Sequence, residues 1–585
     1  MGEMMSFEGE LDGRLPKYRP FPSEAPRRLL SLGWNWQTLL PAAGVLIGCA
    51  LSIGPFLATL VQSLVLWDGP LFHLTLANFA ALLTSPRFFS AVGNTLLCGV
   101  AATLLSCVFG LGLAWITLRT DLPGRSWFET LNVVPFFLSP YVGALSWMYL
   151  LAPHSGLVQT TARDWFGISL DFLDIYGRGG VIWVLSLFYT PYIYLFVSGP
   201  MGQMDGSLED SARVHGASLL STLRHITLPL VMPALLAGAV IVFVTSAGLF
   251  DVPLALASPV RIRTVPTEIY AAVQYPADFG AAASYGVIIM AVTLILTLAQ
   301  RAYLARHRYE IVSGKGYKPR LIHLRGVPRA FAMAAELFYV LCAVALPIVA
   351  LMMVSVSPIW TGRLNPSFLS LENYRYILFS YPLTRDAISN SLILAVLTAS
   401  AAVVVGVLQA YYLNRGKPHR RGLAEAVVSI PLGIPGIILG LGFLIIALRT
   451  PLYSTLSILL IAYVARSYPF ATRAISSMFL AINPELEHSA RVSGAGWWTT
   501  MRLIMLPLLR PAIAAAWLML FVMTIRELGA TILLYAQGTE TISVALVLLA
   551  ERGTGYVAAL SMVQLVLLLA AFVVSRLLRA SMAQS

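Results

Sequence analysis

Charge is what this sequence has least of. Only 11% of its 585 residues are Asp, Glu, Lys or Arg, about half the share found in a soluble globular protein. So little charge cannot clothe the surface of a cytosolic enzyme, and so much apolar residue excludes a disordered tail. Cysteine is nearly as scarce. Cys49, Cys98, Cys107 and Cys342 all fall inside apolar runs and show no disulfide-framework, zinc or redox spacing, so they read as small buried hydrophobes. A polar stretch long enough to fold alone is also missing. Residues 1–36 are polar and carry Arg14, Lys17, Arg19, Arg27 and Arg28, without the short apolar core and cleavage site of a secretory signal. This tail is expected to stay in the cytoplasm.

What the chain has in plenty is apolarity: 58% of its residues, with a mean hydropathy of +0.78. Runs of about 20 apolar residues recur, the length that crosses a bilayer as a helix. The fold class expected is an all-α polytopic membrane protein with about 12 transmembrane helices. They are expected at 37–66, 90–118, 127–151, 180–200, 234–256, 282–305, 331–356, 386–413, 423–449, 454–475, 510–535 and 556–579. The net charge of +12 does not point to nucleic acid, because no soluble basic domain exists to bind it. Most Lys and Arg lie on the side of the N-terminal tail, with the densest block at 301–329. Cytoplasmic loops collect such residues, which predicts that both termini are cytoplasmic and that the partner around the spans is lipid.

The basic block divides two halves that resemble each other. Leu76-Ala77-Asn78-Phe79 matches Leu371-Glu372-Asn373-Tyr374, and Asn94-Thr95-Leu96-Leu97 matches Asn390-Ser391-Leu392-Ile393. Arg119 then matches Arg415, and Pro135 matches Pro431. Six spans per half is an even number, so both repeats keep one orientation and their pseudo-twofold axis runs along the membrane normal. The strongest repeat is polar. After the fourth span stand Glu209, Asp210, Ser211, Ala212, Arg213, Val214, His215, Gly216 and Ala217, followed by Ile226-Thr227-Leu228-Pro229. After the tenth stand Glu487, His488, Ser489, Ala490, Arg491, Val492, Ser493, Gly494 and Ala495, followed by Ile504-Met505-Leu506-Pro507. Each pair is offset by 278 residues. Lipid packing does not account for polar loops. Either they are turns stiffened by Glu209/Arg213 and Glu487/Arg491 as i,i+4 pairs, or they are docking elements for a cytoplasmic partner. Two near-identical copies favour docking.

Here the residues resemble a family. The pattern Glu-Ala-Ala, three residues, Gly, nine residues, Ile-x-Leu-Pro is the signature of type I ABC importer permeases. Ser211, Ala212, Gly216, Ile226, Leu228 and Pro229 fit it, as do Ser489, Ala490, Gly494, Ile504, Leu506 and Pro507. Asp210 and His488 stand where the family has Glu. The resemblance implies the type I ABC importer fold, with two homologous six-helix repeats in one polypeptide. Its parts would be a tail (1–36), a first permease unit (37–305, coupling loop 205–233), a linker (306–330) and a second unit (331–585, coupling loop 483–511). It implies two copies of a cytoplasmic ABC ATPase as partners, holding ATP and Mg, and a periplasmic or surface-tethered substrate-binding protein. The chain itself would bind no cofactor and catalyse no reaction. Consistently, Gly314-Lys315 and Gly416-Lys417 lack the remaining residues of a phosphate-binding loop. Arg526-Glu527-Leu528-Gly529-Ala530-Thr531 is similar to the Lys-Glu-Leu-Pro-Ala-Thr of ferric-iron permeases, which implies ferric iron as the solute. Thiamine, phosphonate, phosphosugar and polyamine remain alternatives, and an ion-coupled secondary transporter is the rival of another class.

Ionisable groups at bilayer depth cost about 2.5–3.5 kcal/mol each, so they face a partner or a cavity. Asp251, Arg466, Arg526 and Glu527 are the candidates: structural pairs, or the lining of a translocation path. On a helix, Arg526 and Glu527 would point about 100° apart and could not neutralise each other. No metal site is expected. Pro135, Pro140, Pro431 and Pro435 should break their spans, for gating or for packing alone. An insertion at 152–180, with Trp165, Phe166, Phe172 and Tyr176, is either a receiver for the binding protein or a surface cap.

Overall fold

The computed structural model describes residues 36–68, 71–204, 211–212, 214–306, 321–363, 365, 369–416 and 418–584. The first half contains α1 (Trp36–Ser63), α2 (Pro86–Arg119), α3 (Pro140–Leu151), α4 (Arg178–Gln203), α5 (Leu228–Ala247) and α6 (Phe279–Arg306). The second contains α7 (Val327–Ser355), α8 (Pro382–Arg415), α9 (Gly436–Ala447), α10 (Leu456–Ala481), α11 (Leu506–Ile525) and α12 (Thr554–Gln584). Among the described residues, nine helices are long and apolar enough to cross a membrane, or up to eleven with each bent pair taken as one span. Helix α10 has the length, 26 residues, but carries Arg466 and Arg473.

The repeated asparagines and hydroxyls tie helix ends together. The Asn78 side chain donates to the carbonyls of Ser63 and Val65 at 3.0 and 3.1 Å, and Asn373 does the same for Ser355 and Ser357 at 2.9 and 2.9 Å. Each pair satisfies carbonyls left open where the first helix of a half ends. Thr95 accepts the Val265 amide and Ser391 accepts the Ile542 amide, both at 2.8 Å. The first span, expected to reach 66, therefore stops at Ser63, and a hairpin of Val65–Asp68 with Leu71–Leu74 follows. No alternation in the sequence announced it.

Proline shapes the rest. The expected third and ninth spans are bent by 98° and 103°, at Arg125–Phe137 into α3 and at Ala424–Gly433 into α9. Wide helical turns with i→i+5 hydrogen bonding occur at Leu223–Thr227, Leu341–Ala345, Tyr376–Ser380 and Met501–Met505. Two residues beyond each stands a proline: Pro229, Pro347, Pro382 and Pro507. A proline ring collides with the carbonyl four residues back and cannot donate to it. Where the helix runs on through the proline, at Pro229, Pro347 and Pro507, the widened turn moves that carbonyl aside, whereas Pro382 opens a new helix after the extended Tyr381. Two expected spans are shorter than drawn. Helix α5 stops at Ala247, and a separate short helix, Asp251–Leu256, begins where Pro253 cannot continue the ladder. Helix α11 stops at Ile525, so Arg526 and Glu527 leave the helix and do not lie along it.

The first helix of each half also reaches into the other. Helix α1 packs on α8 and α9 as well as on α6 of its own half, and α7 packs on α3 as well as on α12 of its own half. Gly44 and Gly48 let α1 approach α8 closely, since an added Cβ at either would collide with Leu408 or Gln409. Gln409 donates to the Gly44 carbonyl at 3.0 Å, and Tyr468 bonds Ser52 at 2.5 Å. One apolar core runs through both halves, with a second around α8, α10 and α11.

The end of the linker is strapped to α2. The Ile322 amide donates to the Arg119 carbonyl at 2.8 Å, and the Asp121 amide donates to Ile322 at 3.1 Å. The Asp121 carboxylate takes His323 Nδ1 at 2.8 Å and the Leu324 amide at 2.9 Å. Those bonds, the histidine first, hold its carboxyl below the usual carboxylate range. Linker residues 307–320 and nearly all of the tail 1–36 lie outside the described residues.

Candidate functional site

All four intramembrane candidates line one cavity between the halves. Asp251, just past α5, comes from the first half. Arg466 on α10, and Arg526 and Glu527 just past α11, come from the second. The cavity measures about 90 Å³ and is also bordered by Tyr189, Tyr192, Pro140 and Pro431. Arg466 Nε pairs with Glu527 Oε2 at 3.1 Å, and Glu527 Oε1 accepts the Ala530 amide at 3.1 Å. Arg526 reaches across to the other half. It donates to the carbonyl of Phe136, to that of Leu138 at 3.3 Å and to the Tyr192 hydroxyl at 2.9 Å, and it covers the Phe136 ring at 4.9 Å. Phe136 and Leu138 sit at the break that precedes α3. Asp251 is buried and accepts the Val252 amide on Oδ1 at 3.2 Å.

The cavity breaks the pseudo-symmetry. At the 278-residue offset, Arg466, Arg526 and Glu527 correspond to Phe188, Gly248 and Leu249, and Asp251 corresponds to Gly529. Tyr189 and Tyr192 went unnoticed in the sequence. The signal for them was two aromatic side chains with polar tips around Pro191 in mid-span. Among the described residues, no three His, Cys, Asp or Glu side chains gather as metal ligands.

The polar repeat forms the same turn in both halves where it is described. In the second copy the helix Glu485–Val492 is closed by Gly494 at φ +82°, and the Ala495 amide donates to the Ala490 carbonyl at 2.9 Å. In the first copy Gly216 has φ +83°, and the Ala217 amide donates to the Ala212 carbonyl at 3.0 Å. A six-residue closure over a left-handed glycine is the usual stop signal of a helix. The small Ala-Gly-Ala spacing is thus a turn requirement as well as a motif. Glu209, Asp210 and Arg213 lie outside the described residues. His488, Ser489, Arg491 and Ser211 are exposed, while Ala490 is buried. Val214 and Val492 are 85% and 90% exposed at matching positions. Leu228-Pro229 and Leu506-Pro507 open α5 and α11, the helices whose far ends meet the cavity.

The turn reading of the second loop pairs Glu487 with Arg491 at i,i+4. Glu487 does not form its ion pair with Arg491. Its carboxylate turns inward to Arg415 Nε at 2.5 Å and accepts the Tyr411 hydroxyl at 3.4 Å. Arg415 also donates to the Ile482 carbonyl at 3.1 Å, as Arg119 donates to Met204 at 3.3 Å in the first half. A partly buried guanidinium at the end of α8 draws the carboxylate more strongly than an exposed neighbour one turn away.

The insertion lies at the other end of α4 from the polar loop. Its helix Leu157–Phe166 clasps the second half. Asp164 pairs with Arg363 at 2.6 Å, Trp360 donates to the Ser155 carbonyl at 2.9 Å, and Thr160 donates to the Gly362 carbonyl at 2.5 Å. Trp165, Phe166 and Phe172 are exposed and Tyr176 is half-buried.

Comparison with known proteins bears on both halves. The Fe(3+)-transport system permease protein FbpB 2 of Haemophilus influenzae is 22% identical over 517 residues, covering 87% of this chain and 91% of its own length. The ferric transport system permease protein FbpB of Actinobacillus pleuropneumoniae is 24% identical over 462 residues, 77% of this chain and 65% of the relative. The molybdenum transport system permease protein ModB of Escherichia coli is 30% identical over 228 residues, 38% of this chain and 96% of its own. Among solved structures, a bacterial ABC transporter involved in the import of the acidic polysaccharide alginate aligns with a TM-score of 0.35 at 20% identity, over 47% of this chain and 92% of that one. The profile of one family matches twice, at residues 102–309 and again at 402–584. Matched in both of its halves, the chain belongs to the binding-protein-dependent transport system inner membrane component family.

Proposed function

We propose that this permease moves ferric iron, delivered by a binding protein, through the cavity between its halves, and that two copies of a cytoplasmic ABC ATPase drive it. The division follows the repeat: a first unit at 37–305, a linker at 306–330 and a second unit at 331–585, with both termini cytoplasmic. The ATPases hold ATP and Mg and dock on the loops 205–233 and 483–511. The binding protein meets the opposite face, where the 152–180 insertion lies. The observation that carries this reading is geometric. In both loops the described part closes a turn over Gly216 or Gly494 beside an exposed valine, and each leads through Leu-Pro into a helix whose far end meets the cavity. A pull on either loop is therefore transmitted along α5 or α11 to Asp251 or to Arg526 and Glu527. That is alternating access by movement of two repeats about a central site. Relatives named for ferric transport extend across both halves, which supports iron above the other solutes.

Proteoliposomes test it. ⁵⁵Fe(III) should accumulate only when the ATPase, ATP and the binding protein are all present. Uptake by this chain alone, driven by a proton or sodium gradient, would establish a secondary transporter instead.

A further inference from the structure

The charges of the cavity bear on the form in which iron crosses. Asp251 and Glu527 face Arg466 and Arg526, so the formal charges cancel. Both Glu527 oxygens are already engaged, one with Arg466 and the other accepting the Ala530 amide, both at 3.1 Å, so a metal ion there would compete with a guanidinium for the carboxylate. The Tyr192 oxygen accepts Arg526 at 2.9 Å. The other side-chain oxygens of the lining are the Asp251 carboxylate and the hydroxyls of Tyr189 and Thr245, and only the first is anionic beside two guanidinium groups. A bare trivalent ion needs several anionic oxygens, and positive charge nearby opposes it strongly where water is excluded. A solute that brings its own anionic oxygens meets neither obstacle.

Arg526 is built to receive such a group. Its partners are two backbone carbonyls, a phenol and an aromatic face, all neutral. An anionic oxygen forms a hydrogen bond about twice as strong as a neutral one, so it would draw the guanidinium away from Phe136 and Leu138. Those carbonyls lie at the sharp break before α3, and releasing them frees the bent segment of the first half. We propose that Arg526 is the cavity's contact for an anionic oxygen group, so that iron crosses as an anionic oxygen-ligand complex with its ligand attached. The same contact unlatches the break between Phe136 and Pro140. The proposal rests on the reading of the cavity as the path of ferric iron.

Double-label transport by the complete transporter in proteoliposomes tests it. ⁵⁵Fe(III) is supplied with [¹⁴C]citrate in one series and with [³³P]phosphate in another. One of the two ligands should enter with iron at a constant ratio and only with ATP. Arg526→Gln should lower uptake of both labels about tenfold or more, and Arg526→Lys should retain part of it. Iron entering with neither ligand overturns the proposal and leaves the ferric reading standing. Failure to take up iron from any donor refutes the ferric reading, and the proposal with it. Should Arg526→Gln fail to assemble, Arg526→Lys tests the residue, full uptake by it counting against the bidentate contact, and the label ratio of the unaltered protein tests whether the ligand travels with iron.

Discussion

Arg415 and Glu487 show how much one side chain can decide. Sequence spacing offered Glu487 to Arg491, yet the carboxylate goes to Arg415 at 2.5 Å, with side chains 15% and 6% exposed. Removing one partner of a buried pair leaves the other unsatisfied, at a cost of about 3–5 kcal/mol. Glu487→Ala should therefore lower the melting temperature of the purified protein clearly, and Glu487→Gln should do so less. An unchanged melting temperature with lost ATPase binding would place the carboxylate on the docking surface instead. Asp121 gives a pH effect of definite sign. Its carboxyl is held below the usual range by His323 and the Leu324 amide. A depressed folded value means that the stabilisation is present above the unfolded value of about 3.9 and is lost as pH falls through the folded one. Hydrogen exchange at the Leu324 amide, corrected for its intrinsic rate, should stay slow at neutral pH and quicken below about pH 4. Asp121→Ala, which removes the acceptor of the Leu324 amide, should show fast exchange already at neutral pH.

At the scale of elements, the two polar turns behave as matched parts. Gly216 and Gly494 hold φ near +83° and +82°, where an L side chain costs roughly 1–2 kcal/mol. Among the described residues, and beyond its two chain neighbours, nothing lies within 4 Å of a Cβ added at either glycine, so the penalty is in the backbone and at the partner surface. Gly216→Trp together with Gly494→Trp should leave the protein inserted while ATP hydrolysis no longer drives uptake. Parallel assays of phosphate release and solute accumulation would show this, and normal transport would argue against docking there. The elements also mark what could be read in advance. The spans were legible from apolar length, the breaks from Pro135 and Pro431, and the repeat from side chains that proved to be caps: Asn78 with Asn373, and Thr95 with Ser391. The hairpin after α1 was not legible, because it depends on Asn78 closing a helix end 15 residues away. Nor were the early ends of α5 and α11. Helix α5 ends at a glycine, Gly248, and α11 ends where Arg526 turns to carbonyls of the other half, a partner that the sequence of one segment does not show.

At the scale of the molecule, the halves are bound through the first helix of each. Helix α1 lies on α8 and α9 of the second half as well as on α6 of its own, and α7 lies on α3 of the first half as well as on α12 of its own, so each first helix couples the two halves. No periodicity within one half could have announced this, because it is a property of the pair. The four intramembrane charges were legible one by one from their cost in lipid. Their convergence on a single cavity was not, since it joins α10 and the ends of α5 and α11 across 60 to 280 residues of sequence. The central claim remains that both polar turns are handles for separate ATP-hydrolysing subunits. Native mass spectrometry of the transporter, co-expressed with its ATPase and purified intact, tests it most directly. The account predicts one copy of this chain with two ATPase subunits, falling when either glycine of the turns is replaced by tryptophan. A purified, transport-competent assembly with no ATPase bound, or with both subunits retained when both turns are altered, would contradict it.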